Sequence, residues 1–208
     1  MTVQKNPSFV LFLLVCLLGI ENLFAFEESE IQHEVPAVEK IRYVPDMVWK
    51  PTRVGDDAET YTWKVVSVEG DIVTIESDGC SQTLSLLMPF SPPLSWENCG
   101  PGSGSHIIRK TKGTVFPLHK GTRFQHTATG RSSSGESWKT VRKCKVEKKV
   151  AVIVPMGNFD TWKLVCDESR FTHTYWISPE LEFWVAYEQT RKGCCTELFE
   201  YSSITRPQ

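Results

Sequence analysis

Arg123-Phe-Gln-His-Thr-Ala128, Gly130-Arg-Ser-Ser-Ser-Gly135 and Trp138-Lys-Thr-Val-Arg-Lys-Cys-Lys-Val146 decide the fold class. The outer two pieces alternate apolar and polar residues with the period of two that places successive side chains on opposite faces of a strand. The Gly/Ser-rich piece between them reads as a loop rather than a strand interior, so the three together form a long hairpin. A second hairpin lies upstream: Tyr61 to Val68, the turn Glu69-Gly70-Asp71, then Ile72 to Ile75. Further strands are expected at Val150 to Val154, Thr161 to Cys166, Thr172 to Ser178 and Leu181 to Glu188, punctuated by Pro155-Met-Gly157-Asn158 and Ser178-Pro179-Glu180. No window carries a convincing amphipathic helix. The fold class is mainly β, a curved antiparallel sheet with meander connections and little helix.

Between the hairpins, Pro89 to Ser105 is rich in Pro and Gly and reads as a linker or crossing loop, with Gly100 to Gly104 wholly loop. Residues 48–99 and 115–190 look loosely alike. Pro51-Thr-Arg-Val-Gly55 and Pro117-Leu-His-Lys-Gly121 each precede a hairpin and a cysteine, which suggests two related halves of one sheet joined by the loop 89–105. Residues 26–47 read as an acidic N-terminal segment and 191–208 as a C-terminal tail.

Near the N-terminus Lys5 supplies a positive charge, the apolar run Phe9 to Ile20 follows, and the small residue Ala25 comes after it. This pattern predicts a cleaved signal peptide over residues 1–25 and a periplasmic or secreted location. The apolar run is shorter than a spanning helix of roughly 20 residues, so no membrane-spanning segment is expected after cleavage. A lipoprotein site at Cys16 is the weaker alternative, because Val15 precedes it.

Of seven cysteines, six follow Ala25: Cys80, Cys99, Cys144, Cys166, Cys194 and Cys195. An even number in an exported chain implies disulfides. Closure of short loops favours Cys80 with Cys99 and Cys144 with Cys166, at roughly 3 kcal/mol each in the chain-entropy model. Adjacent Cys194 and Cys195 complete the six candidate disulfide cysteines; separate partners or two free thiols are favoured over a strained vicinal bond, and a soft-metal or redox pair is the least favoured reading.

The formal charge is −2, from 23 Lys plus Arg and 25 Asp plus Glu, but it is unevenly spread. His106 to Lys149 holds twelve basic and two acidic residues, a net +10 against −12 for the remainder. Arg123, Lys139, Arg142, Lys143 and Lys145 are therefore candidate anion-binding residues, for an anionic lipid or polymer of the cell envelope rather than nucleic acid. The solvated face of an exposed sheet would have the same composition. Trp63, Trp138, Trp162, Trp176 and Trp184 fall at core positions by alternation, and a Trp-lined apolar groove is compatible with that pattern.

No catalytic signature is present. His33, His106, His119, His126 and His173 lack metal-ligand spacing, there is no Gly-x-Ser-x-Gly elbow, and neither metal nor cofactor is implied. A hydrolase would need two or more of His119, His126 and His173 to meet a carboxylate in one cleft.

Four motifs, Phe116-Pro-Leu-His-Lys-Gly121, Trp138-Lys-Thr-Val-Arg-Lys-Cys144, Val154-Pro-Met-Gly-Asn-Phe-Asp160-Thr-Trp-Lys-Leu-Val-Cys166 and Thr174-Tyr-Trp-Ile-Ser-Pro-Glu-Leu181, carry a resemblance. Over residues 115–190 the chain resembles exported bacterial proteins of unknown function, the domain-of-unknown-function 3108-like (TapB-like) group. It departs from that pattern at Met156-Gly157, where the group has Ala-Gly, and at Leu181-Glu182, where it has Leu-Gly. The resemblance implies a sheet curved like an open clam or half-barrel and offers no active-site residues. The expected function is a non-catalytic binding module for an apolar or anionic envelope ligand such as lipid, lipopolysaccharide or polysaccharide. The alternatives are a structural accessory with a protein partner in an envelope assembly, and a hydrolase whose site is not visible in sequence.

Overall fold

The computed structural model describes residues 26–100 and 102–207. The signal-peptide reading of residues 1–25, Cys16 included, lies outside them. Among the described residues thirteen strands form and no helix: β1 Glu27–Glu30, β2 Val48–Arg53, β3 Trp63–Glu69, β4 Ile72–Ser77, β5 Cys80–Ser85, β6 Ser95–Cys99, β7 Gly102–Lys112, β8 Arg123–Ser132, β9 Ser137–Val154, β10 Gly157–Asp167, β11 Phe171–Ser178, β12 Phe183–Arg191 and β13 Cys195–Thr205.

From β2 to β13 each strand pairs antiparallel with the next, and β13 returns to pair with β2 from Phe199↔Arg53 to Thr205↔Val48. Twelve strands thus close into a barrel, and the open clam is corrected. The closing partner is the segment read as a tail. Closure satisfies the edge hydrogen bonds that an open sheet would leave unpaired. β9 is long enough to serve two neighbours on one edge: Ser137 to Lys145 pairs β8, and Val150 to Ile153 pairs β1.

The loop between the expected halves is also partly sheet, since β6 and β7 occupy most of residues 95–105. Gly102, Gly104 and Gly130 are strand residues, contrary to the loop reading. Gly104 faces Trp96 and Gly130 faces Trp138 across neighbouring strands. A Cβ on Gly104 would lie 2.2 Å from the Trp96 ring, and one on Gly130 would lie 2.3 Å from the Trp138 ring. These glycines make room for tryptophans that lie flat on the sheet.

One end of the barrel is filled. Val38, Met47, Leu118, Leu164, Ile177, Phe183 and Phe90 are almost fully buried in one cluster. Val35 to Met47, read from sequence as a separate acidic segment, packs its apolar residues against the inner face of the strands. Its place is fixed by the Val38–Leu118 backbone bridge, by the Arg42 amide donating to the Glu182 carbonyl and by Trp162 Nε1 donating to the Pro36 carbonyl at 2.8 Å. A second cluster, built from Val150, Val152, Val154, Trp176, Val185 and Ala186, is covered by Phe26 next to β1. There Glu28 binds Lys148, Lys163 at 2.8 Å and the Trp176 indole N–H at 3.0 Å. Burial raises the Glu28 pKa, but these hydrogen bonds outweigh it and bring the value down to about 2.

Candidate functional site

The filled end leaves a cavity of about 1230 Å³ at the opposite end, beside the turns that follow β8 and β10. This is at or above the usual size of a small-molecule pocket. One wall is aromatic. Trp49 and Trp63 stack with centroids 6.3 Å apart, and Tyr175 contacts both Trp184 and Tyr187. All are inward residues of β2, β3, β11 and β12.

On the facing wall the two glycines create a second aromatic group. His106 of β7 lies between Trp96 and Trp138, with centroids 5.0 and 5.5 Å away. Its Nδ1 lies 2.8 Å from the Pro93 carbonyl, which can only accept, so Nδ1 carries the proton. Burial lowers the His106 pKa. In the neutral ring Nε2 is then an acceptor at the cavity wall.

A polar cluster crosses the interior. Arg142 of β9 pairs with Glu168 in the turn after β10, and its Nη1 donates to the Phe90 carbonyl at 2.5 Å. Arg142 Nη2 also lies 3.1 Å from His173 Nε2. An arginine can only donate, and Tyr187 directs its hydroxyl proton to Gln189 Oε1 at 3.0 Å. His173 must therefore accept on Nε2 and donate from Nδ1 to the Tyr187 oxygen, 2.7 Å away. Burial lowers the His173 pKa and Arg142 adds to the effect, while Glu168, 3.4 Å from the ring, opposes it. Burial raises the Glu168 pKa, but its hydrogen bond and ion pair with Arg142 and the nearness of His173 prevail and hold it low. The cluster ties the Pro89–Pro93 loop to β9 and β11.

Each sequence-derived candidate now has a position. Cys80 bonds Cys99 and Cys144 bonds Cys166. Cys194, in the turn after β12, and Cys195, the first residue of β13, are free and exposed with sulfurs 2.7 Å apart, which corrects their inclusion in the disulfide framework. Of the five cations, Arg142 lies inside and is neutralised by Glu168, while Lys139 is exposed on the outward face of β9 beside the cavity rim. Arg123, Lys143 and Lys145 are on the outer surface around a separate groove of about 450 Å³. The three histidines do not meet in one cleft. His173 is in the cavity wall, His119 is exposed, and His126 is fully buried with no partner for either ring nitrogen among the described residues. Among the described residues no cluster of potential metal ligands forms. Of the five tryptophans placed in the core, Trp162, Trp176 and Trp184 are buried, whereas Trp138 is 37% exposed at the cavity.

Sequence reading missed Trp49, Trp96, His106, Glu168, Tyr187 and Gln189. The available signal was the pairing of each in-strand glycine with a tryptophan one strand away.

No protein-family model matches the chain, so the resemblance to the 3108-like group has no such support, and no curated protein matches either. Among solved structures the chain is similar to the hypothetical lipoprotein YmcC from Escherichia coli K12, at 9% identity and a TM-score of 0.47, over 79% of this chain and 87% of that one. A likeness at that level brings no ligand, activity or location with it.

Proposed function

We propose that the protein is an exported, non-catalytic binding module whose barrel interior takes a lipid-class ligand with an apolar body and a hydrogen-bonding head. The observation that carries this reading is the cavity of about 1230 Å³, aromatic on both walls, with its one buried cation already matched by a carboxylate. Such an interior favours apolar surface over net charge, because burying a second, unpaired anion there would be costly. His106 Nε2 suits a hydroxyl or amide donor on the ligand head. Two disulfides and the apolar run Phe9 to Ile20 support a periplasmic or secreted location.

The test is organic extraction of the purified protein followed by mass spectrometry. Extracted protein is then titrated with lysophospholipids and free fatty acids, with tryptophan fluorescence as the readout. A co-purifying amphiphile is expected, with saturable quenching that weakens in Trp63→Ala. Protein that carries nothing and responds to neither ligand series would remove the proposal.

A further inference from the structure

Six of the eleven cations of the stretch His106 to Lys149 that do not enter the barrel gather on one outward face. Cross-strand register builds it in rows: Ile107, Thr129 and Lys139; Lys110, Thr127 and Val141; Lys112, Gln125 and Lys143; then Arg123 and Lys145. All six cations in these rows are exposed, none forms an ion pair among the described residues, and no carboxylate interrupts the rows. The nearest acid in register is Asp167, opposite Lys143 on β10, and its charge is taken by Lys192 at 2.7 Å. Two aliphatic side chains stand among the lysines, Ile107 at 53% exposure and Val141 at 38%.

We propose that this outward face of β7, β8 and β9 docks on an anionic phospholipid bilayer. Unpaired cations on a sheet face are attracted to lipid phosphates and anionic headgroups, and each one near the surface strengthens binding about fivefold. Ile107 and Val141 reach the boundary between headgroups and acyl chains, as apolar residues of interfacial segments do. A soluble polyanion would use the cations but gain nothing from the two aliphatic side chains, which is why a bilayer is the favoured occupant. A barrel crossing the membrane is a poor fit for this face, since lysine facing hydrocarbon is strongly unfavourable. The face is separate from the cavity, so the inference stands independently of the interior ligand.

The test uses the chain from Phe26, which contains the whole closed sheet, in co-sedimentation with vesicles. Equimolar phosphatidylglycerol and phosphatidylcholine are compared with phosphatidylcholine alone. Binding is expected to the mixed vesicles only, and to fall with salt. Lys143→Glu/Lys145→Glu is expected to weaken it by more than about twentyfold. Lys40→Glu/Lys50→Glu, an equal charge change at exposed positions outside the rows, should bind as the parent does. Ile107→Ser/Val141→Ser is expected to weaken vesicle binding several-fold while sparing binding to soluble heparin. Equal binding to both vesicle types, equal loss in the two charge-reversed pairs, or heparin displacing the protein with no contribution from Ile107 and Val141 would each overturn the proposal. The last outcome would assign the face to an acidic polymer.

Discussion

Lowering the pH from about 7.5 to about 4 is expected to destabilise the protein through His126, and His126→Leu isolates the effect. The His126 side chain is fully buried on β8, opposite Arg142 on β9, and neither ring nitrogen meets a partner among the described residues. Burial, reinforced by the charge of Arg142 and opposed by Glu168, lowers its pKa from 6.5 to about 4. Above 6.5 the ring is neutral in folded and unfolded chains alike and contributes no pH dependence. Between 6.5 and about 4 the unfolded chain binds a proton that the folded barrel rejects, so stability falls by about 1.4 kcal/mol per pH unit. Below about 4 both states are protonated and the loss is complete, at up to about 3 kcal/mol. The assay is urea unfolding followed by tryptophan fluorescence across this range, for parent and variant. His106 and His173 shift the same way and are present in both proteins, so the difference between the two curves belongs to His126. The variant is expected to be more stable than the parent at neutral pH by about 1 kcal/mol or more, because two unpaired polar atoms are removed. Its advantage should widen by up to about 3 kcal/mol at the acid end. A difference that stays constant within about 1 kcal/mol over the whole range would refute the reasoning.

Arg142→Met leaves Glu168 buried without its cation and frees the Phe90 carbonyl, so thermal unfolding should show a loss of about 3 to 5 kcal/mol. Gly104→Ala and Gly130→Ala force the Trp96 and Trp138 rings off the sheet, at a cost of about 1 to 3 kcal/mol and with an altered near-ultraviolet dichroism. Unchanged spectra would show that the rings do not depend on the glycines. The Glu28 pKa of about 2 lies below its ordinary 4.5, so its stabilisation is complete above 4.5 and fades as the pH falls toward 2. Glu28→Gln should therefore cost about 1 to 2 kcal/mol at neutral pH and nothing near pH 2, measured by denaturant titration. A thiol reagent applied to unreduced folded protein should modify Cys194 and Cys195 and spare Cys80, Cys99, Cys144 and Cys166, read by peptide mass mapping.

The hairpin of β3 and β4 and the Cys80–Cys99 and Cys144–Cys166 bonds were legible because each is local: a turn or loop of some twenty residues brings the partners together. Gly130 was misplaced because the glycine signal for a turn is the same as the signal for a close approach within a strand. Only the position of Trp138 on the neighbouring strand distinguishes the two. Residues 195–205 passed for a tail although Phe199-Glu-Tyr201 alternates, because a short alternating run does not name its partner. The polar cluster was invisible for a related reason: Arg142, Glu168, His173 and Tyr187 meet only once β9, β10, β11 and β12 are in register.

The alternation of residue types alone determined that this chain is strands and turns, because the two-residue period of the backbone acts on each segment separately. It also located the basic third of the chain and the cysteines that lie near one another. What only the tertiary structure decided was which face of each strand is enclosed. That depends on β13 pairing with β2, a contact between residues about 150 positions apart in sequence that closes the ring. Closure turned one face of β9 inward, where Arg142 meets Glu168, and the other outward, where Lys143 and Lys145 are exposed with no ion-pair partner among the described residues. Neighbours in one basic run thus acquired opposite environments.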